Sequence, residues 1–311
     1  MRRCRRFVVA LALGFAAFGY ARSPAPQAAI SARGAQRSNV DAYRGLGTWV
    51  DVYHYVPAFQ NAGKKPTVTP ASVDVMKRHG VRTLYLQAAQ EDRRSPGATV
   101  TPRLLGQFLR RAHDAGLRVV AWYLPHFADV NADVRHVRGL LDFEANGERF
   151  DGVALDLEFR GDVPDPDQRS AALVQLSRRV RDAAGARPVG AIVLEPVLLE
   201  VVNGNFWPSF PWRDITGFYD VWLPMSYWTN RSSASGYQDG FRYTDENIRR
   251  LRNDLGNANV PVHAIGGVAG TARAQDVDGF VRAAKQAGAI GWSLYSFDGT
   301  ARTLWPPLGG R

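Results

Sequence analysis

Gly152-Val153-Ala154-Leu155-Asp156-Leu157-Glu158 is an apolar run into which two carboxylates enter at the far end. Read as a β-strand, its alternate side chains share a face, so Ala154, Asp156 and Glu158 look one way and Val153, Leu155 and Leu157 the other. The apolar set suits packing on helices. The two acids suit the C-terminal mouth of a parallel barrel, the end where barrel active sites are built.

Working outward, similar short β-branched or aromatic runs recur at residues 48–53, 83–87, 118–124, 189–194, 221–225, 262–266 and 291–296. With residues 152–157 they make eight, the number that closes a barrel. Amphipathic stretches fill the gaps at 104–115, 129–145, 167–184, 245–255 and 273–287, and Gly80, Gly116, Gly185 and Gly288 stand just past helix ends, where a left-handed residue is commonly needed. Between strands five and six, residues 203–218 carry Phe, Trp and Pro instead of a clean helix and read as a loop insertion over the active face. The fold expected is a single (β/α)8 barrel over 45–311; a flavodoxin-like open sheet, the competing α/β fold, needs fewer units.

The segment before the barrel reads differently. Arg2, Arg3, Arg5 and Arg6 precede an apolar run over 7–20, with small residues at Gly19 and Ala21, the pattern of a signal peptide over 1–21. The run is too short to span a bilayer comfortably. Residues 22–44, rich in Ala, Ser, Pro and Arg without hydrophobic period, read as a flexible linker. The expectation is a protein secreted or held in the cell envelope, without stable membrane insertion after cleavage. Cys4, the only cysteine, falls in the signal segment, so the mature chain is expected to carry no disulfide.

The formal charge of +10 raises the question of nucleic acid, yet seven arginines of the first 37 residues account for most of it and +3 remains. The pairs Arg110-Arg111, Arg178-Arg179 and Arg249-Arg250 sit on separate expected helices, where a solvated outer face explains them. The six histidines, His54, His79, His113, His126, His136 and His263, form no H-x-H or H-E-x-x-H pair, so no metal is expected. The glycines at 266, 267 and 270 lack a basic partner for a phosphate, and no P-loop, dinucleotide fingerprint or nucleophile elbow stands in a strand-to-helix context. No cofactor is expected.

Strand alternation brings further polar and aromatic side chains to the mouth that holds Asp156 and Glu158: Asp51 and Tyr53 from strand one, Tyr85 and Gln87 from strand two, Glu195 after strand five, Met225 and Tyr227 from strand six, and Tyr295 from strand eight. Trp122 and His126 end strand three, and Trp228 follows Tyr227. Each alone reads more simply as a satisfied core group; convergence at one end carries the inference. Trp122, Trp207, Trp212, Trp228 and Tyr53 suit stacking on sugar rings, with about half of them expected to be packing instead.

Asp151 to Glu158 resembles the D-G-x-D-x-D-x-E signature of family 18 glycoside hydrolases, the chitinase group, with Ala154 where the signature has its first inner aspartate. Met225-Ser226-Tyr227-Trp228 resembles that family's M-x-Y-D after strand six, and residues 291–298 resemble its closing strand, with Tyr295 where tryptophan is usual. Trp122-Tyr123-Leu124-Pro125 stands where the family has a serine-glycine motif. The likeness runs through the barrel in order, and extends to barrel glycosidases generally. It implies a glycoside hydrolase acting on a polysaccharide, with Glu158 as general acid, Asp156 orienting a substrate acetamide whose oxygen attacks the anomeric carbon, and Tyr227 bonded to the same group. Glu195 offers a second route as base or nucleophile across the mouth. A carboxylate near Gly266, which glycosidases with a nucleophile ending strand seven need, is missing. The substrate partner expected is carbohydrate, the state a monomer, and the rival from another class is a carbohydrate-binding protein on the same barrel with catalysis lost.

Overall fold

The computed structural model describes residues 39–309. The expected signal peptide and the part of the expected linker before residue 39 lie outside these residues. Eight parallel strands are present: β1 (Gly45–Val50), β2 (Thr83–Gln87), β3 (Arg118–Tyr123), β4 (Gly152–Asp156), β5 (Val189–Val193), β6 (Val221–Pro224), β7 (His263–Val268) and β8 (Gly291–Tyr295). They follow one another around the sheet, and β8 pairs back onto β1. The remaining seam, between β6 and β7, is bridged by Trp222 with Val262 and Met225 with Ile265, with Ser226 N donating to Ile265 O at 2.6 Å. The fold is therefore the single (β/α)8 barrel expected from the strand count.

Six longer helices cover the outside: α1 (Ser72–Arg78), α2 (Pro102–Asp114), α3 (Val130–Asp142), α4 (Pro166–Ala184), α5 (Gly240–Leu255) and α6 (Ala274–Gln286). Each carries an apolar face, such as Leu105, Phe108, Leu109 and Ala112 of α2, which is buried against the barrel. Their starts follow from side-chain caps. Asp129 accepts from Asn131 N and Ala132 N at the head of α3, Asp165 from Gln168 N at α4, and Asp239 from Arg242 N at α5. Asp239 is why α5 begins five residues before the expected 245.

No long helix follows β5. A single turn, Leu198–Val202, leads into a segment whose start stays near the mouth, where Phe206 O accepts from Arg160 and Trp207 packs edge-on to Phe127. The segment then descends as Trp212–Ile215 between α4 and α5. The expected insertion is thus real, but much of it fills the place of the fifth helix rather than covering the active face. Trp207 is 1% exposed and packs, with its indole N–H on Ser170 Oγ.

Residues 39–44 are not linker. Val40–Tyr43 form a helical turn, and the fully buried Tyr43 donates its hydroxyl to Val153 O at 2.8 Å inside the barrel. A large aromatic that plugs the base of the barrel outweighs the surrounding composition that suggested a flexible segment. Above it the interior holds Trp49, Tyr85 and His263 instead of aliphatic layers, with the Trp49 and Tyr85 rings stacked at 4.2 Å.

Candidate functional site

Asp156 is the last residue of β4 and Glu158 lies in the turn that follows. Asp156 is 9% exposed and its Oδ1 is buried without a hydrogen-bond partner in the protein. Burial holds its carboxyl well above the usual carboxylate range, and the neighbouring Glu158 raises it further. Burial likewise raises Glu158. Among the described residues neither carboxyl takes part in an ion pair.

The ends of β6 and β8 close on this pair. The Tyr227 hydroxyl is kept protonated first by burial, and the charges of Glu158, Tyr295, Asp156 and Glu195 add to that. The Tyr227 and Tyr295 rings stand 6.4 Å apart, and Tyr295 donates to Asp51 Oδ2 at 2.7 Å. Asp51, Asp156, Glu158, Glu195, Tyr227 and Tyr295 thus stand at or just past the C-terminal ends of five strands. Met225 is buried beside the β6–β7 seam.

Trp122 points inward from β3 and pairs in register with Ala154. Its ring meets Trp49 edge-on, and its indole N–H is buried without a partner. The small side chain at 154, where the resembled signature carries an aspartate, leaves the neighbouring inward position to this indole. Gln87 is 2% exposed and both ends of its amide are used internally, Oε1 accepting from Val52 N and Nε2 donating to Gln90 Oε1. It braces the segment after β1. His126 sits at the rim, with Nδ1 2.8 Å from Asp162 and its ring stacked on Phe159 at 4.1 Å, so it links the loop after β3 to the loop after β4.

Two expected contacts are corrected. Tyr53 does not extend β1: Asp51 caps the short helix Val52–Tyr55 by accepting from Tyr53 N, which ends the strand and leaves the Tyr53 ring 52% exposed against Phe59. Trp228 faces the helices, not the cleft. It is 2% exposed and packs on Phe280 of α6, because alternation past Tyr227 turns it outward.

The structure adds residues that local pattern did not single out. His54 Nδ1 is 3.1 Å from Asp51 Oδ1 and Nε2 is 3.9 Å from Asp298, and Asp51 raises the imidazole above its ordinary value against the effect of burial. The Arg231 guanidinium, in the loop after β6, lies 5.8 Å from the ring of the buried Tyr243. The glycines of β7 are explained by close packing: a Cβ at Gly266 would lie 2.8 Å from Leu294, and one at Gly267 2.7 Å from Thr229. Among the described residues no group of three or more His, Cys, Asp or Glu side chains is placed to hold a metal ion, and no helix is long and apolar enough to cross a membrane.

No family model and no curated protein matches the sequence. Solved structures do resemble the fold. The endo-β-1,4-mannanase from Thermotoga petrophila superposes with a TM-score of 0.62 at 11% identity, over 88% of this chain and 77% of that one. The Bacillus cereus spore cortex-lytic enzyme SleL gives 0.60 at 9%, over 85% and 73%. A class V chitinase from Pseudomonas fluorescens Pf-5 gives 0.58 at 11%, over 86% and 100%. At these identities the likeness establishes the architecture, a barrel that this chain shares with solved glycoside hydrolases.

Proposed function

We propose that the protein is an exported glycoside hydrolase that cleaves a polysaccharide containing N-acetylhexosamine. The observation that carries this reading is the Asp156–Glu158 pair, a buried and a half-buried carboxyl at a barrel mouth, both held protonated by burial, with Glu158 adding to the rise at Asp156. A general acid must hold its proton near neutrality, and Glu158, partly exposed at the end of the pair, is the one a glycosidic oxygen can reach. The chitinases among the structural neighbours support the choice of substrate class.

In this mechanism Glu158 gives its proton to the departing glycosidic oxygen as the anomeric C–O bond breaks. The acetamide oxygen of the same sugar bonds to the anomeric carbon, while Asp156 accepts from the acetamide N–H through its unpartnered oxygen and Tyr227 donates to the acetamide oxygen. Water then attacks the anomeric carbon as its bond to the acetamide oxygen breaks, the electron pair returning to the acetamide, and the water's proton passes to Glu158, which restores the starting state with retained configuration.

The test is a panel of N-acetylated and plain oligosaccharides, with the anomer of the first product read by NMR. Glu158→Gln is expected to abolish sugar release and leave polysaccharide binding nearly intact. Equal release by the mutant overturns the assignment. The alanine at 154 favours one second reading, a binding protein on the same barrel; retained binding with no release by the wild type, across the panel, selects it.

A further inference from the structure

The outer ring of helices has a gap that the chemistry above leaves unused. Because the chain after β5 forms no long helix, α4 and α5 are separated by the descending turn Trp212–Ile215, which packs on both. The gap holds a cleft of about 860 Å3, inside the range of about 300–1,000 Å3 that ligand sites occupy. It runs down the outer wall from Ser170, near the start of α4 on the mouth side, to Asn253 in the last turn of α5. Trp212, one of the tryptophans suited to stacking on a sugar, thus lines this wall and not the mouth.

The floor of the cleft is aromatic and fixed. The Trp212 ring lies 4.2 Å from that of Phe210 and 6.3 Å from that of the buried Trp222 of β6. Its carbonyl accepts from Thr216 Oγ1 at 2.8 Å, whereas its indole N–H has no acceptor among the described residues. Ser170 Oγ donates to Ser209 O at 2.6 Å and Arg213 donates to Asn253 O at 2.9 Å, which pins the segment to α4 on one side and α5 on the other. The rim is polar. Arg178 of α4 and Asp214 of the descending turn are both exposed there, and neither side chain has an ion pair or hydrogen bond among the described residues.

An aromatic face beside an unpaired donor and an unpaired acceptor matches a pyranose. The C–H face of the sugar covers the indole, and its hydroxyls both donate to a carboxylate and accept from a guanidinium or an indole N–H. An ionic ligand of either sign would instead meet a like charge, at Arg178 or at Asp214. On the reading of the substrate as a polysaccharide, we propose that this cleft is a second carbohydrate-binding site, where a stretch of the polymer outside the mouth stacks on Trp212 and bonds to Arg178 and Asp214. The upper end of the cleft adjoins the start of α4, which follows directly on the loop that carries Glu158. A polymer held there is presented to the mouth at raised effective concentration, so the cleft serves long chains and not short ones.

The experiment takes the full chain with insoluble chitin and insoluble β-1,4-mannan, an N-acetylated and a plain polysaccharide. It measures retention on each, and the initial rate on the polymer that is cleaved and on its soluble tetramer. Trp212→Ala is expected to lower retention by about three- to tenfold and polymer turnover by a similar factor, and to leave the rate on the tetramer unchanged. Arg178→Ala, at an exposed position, is expected to lower retention by about two- to threefold with an unchanged denaturation midpoint, and it carries the test if Trp212→Ala does not fold. Retention equal to wild type in the folded variants, a loss that is as large on the tetramer, or wild-type retention on neither polysaccharide overturns the proposal. A wild-type dimer that Trp212→Ala dissociates, with retention unchanged, assigns the cleft to a second copy of the chain instead. Failure of the hydrolase reading shows separately, as no release by the wild type or equal release by Glu158→Gln, while retention needs no turnover and still reports on the cleft.

Discussion

Tyr295 Oη donates to Asp51 Oδ2 at 2.7 Å, which ties the last strand of the barrel to the end of the first on the wall of the mouth. Asp51 Oδ1 is engaged in turn by Tyr53 N and lies 3.1 Å from His54. Tyr295→Phe removes the donor and leaves a carboxylate that is 6% exposed short of one partner. The expected cost is about 1–2 kcal/mol of unfolding free energy, measurable by urea denaturation, with a fall in turnover because the ring beside Tyr227 loses its anchor. Stability and turnover both equal to wild type would show that the bond carries no load.

Asp156→Asn is expected to stabilise the fold while abolishing sugar release. Burial raises the folded-state proton affinity of Asp156 and Glu158 above that of the unfolded chain, and Glu158 adds to the rise at Asp156. Folding then binds protons, so this contribution is present at low pH and is lost as pH rises from the unfolded carboxylate values through the raised ones. The midpoint difference between Asp156→Asn and wild type should therefore grow from pH 5 to pH 8, reaching a few degrees. A difference that does not vary with pH contradicts the charge assignment.

His113 works on the opposite end of the barrel. Its ring joins the last turn of α2 to Glu148 and Asp151, with Nδ1 2.5 Å from Glu148 and Nε2 3.0 Å from Asp151. Asp151, and then Glu148 against the effect of burial, raise the imidazole to about 8. A raised histidine contributes fully below its unfolded value of about 6.5 and loses that contribution as pH rises through the folded value. His113→Gln is expected to cost about 1 kcal/mol at pH 6 after solvent screening, and almost nothing at pH 9. Equal costs at both pH values would sink the ion-pair account.

The strand count was legible because each buried strand is a short apolar run and most helices end at a glycine, two local signals that survive tertiary packing. The mouthward places of Asp156 and Tyr295, the last residues of β4 and β8, were legible for the same reason: alternation holds as far as the strand does. It misled where the strand stopped: the Asp51 carboxylate accepts from the Tyr53 amide and starts a helix, so Tyr53 does not continue β1. Trp228 obeys the period past Tyr227 and ends on the helix side, where its ring packs on Phe280. Tyr43 was hidden in a segment whose composition is that of a linker, since one aromatic in a barrel base changes composition very little. His54 matters through Asp51, three residues before it, and through Asp298 after β8, a partner that nothing in its own neighbourhood records.

Gly47→Ala tests whether the aromatic floor beneath the mouth can yield. A Cβ at Gly47 would lie 2.7 Å from Tyr85 Cε2 and 3.0 Å from His263 Cε1. Neither ring is free to retreat. Tyr85 is stacked under Trp49 at 4.2 Å, and His263 Nδ1 donates to Tyr43 O at 2.8 Å while its Nε2 meets Ser293 Oγ at 3.0 Å. Burial pulls the imidazole down to about 4, so it stays neutral and keeps that bonding pattern across the working pH range. Ser293 Oγ also accepts from the Trp49 indole at 2.8 Å, and Trp49 meets Trp122 edge-on beside Ala154. Overpacking here is expected to cost about 1–3 kcal/mol and, because the shift passes through Tyr85 to Trp49 and Trp122, to lower turnover as well. Gly217→Ala, where an added Cβ meets nothing within 4 Å, is the control and should leave both measurements unchanged. If the two variants have the same denaturation midpoint, the floor is looser than its hydrogen bonds require, and the site above it does not depend on the packing at Gly47.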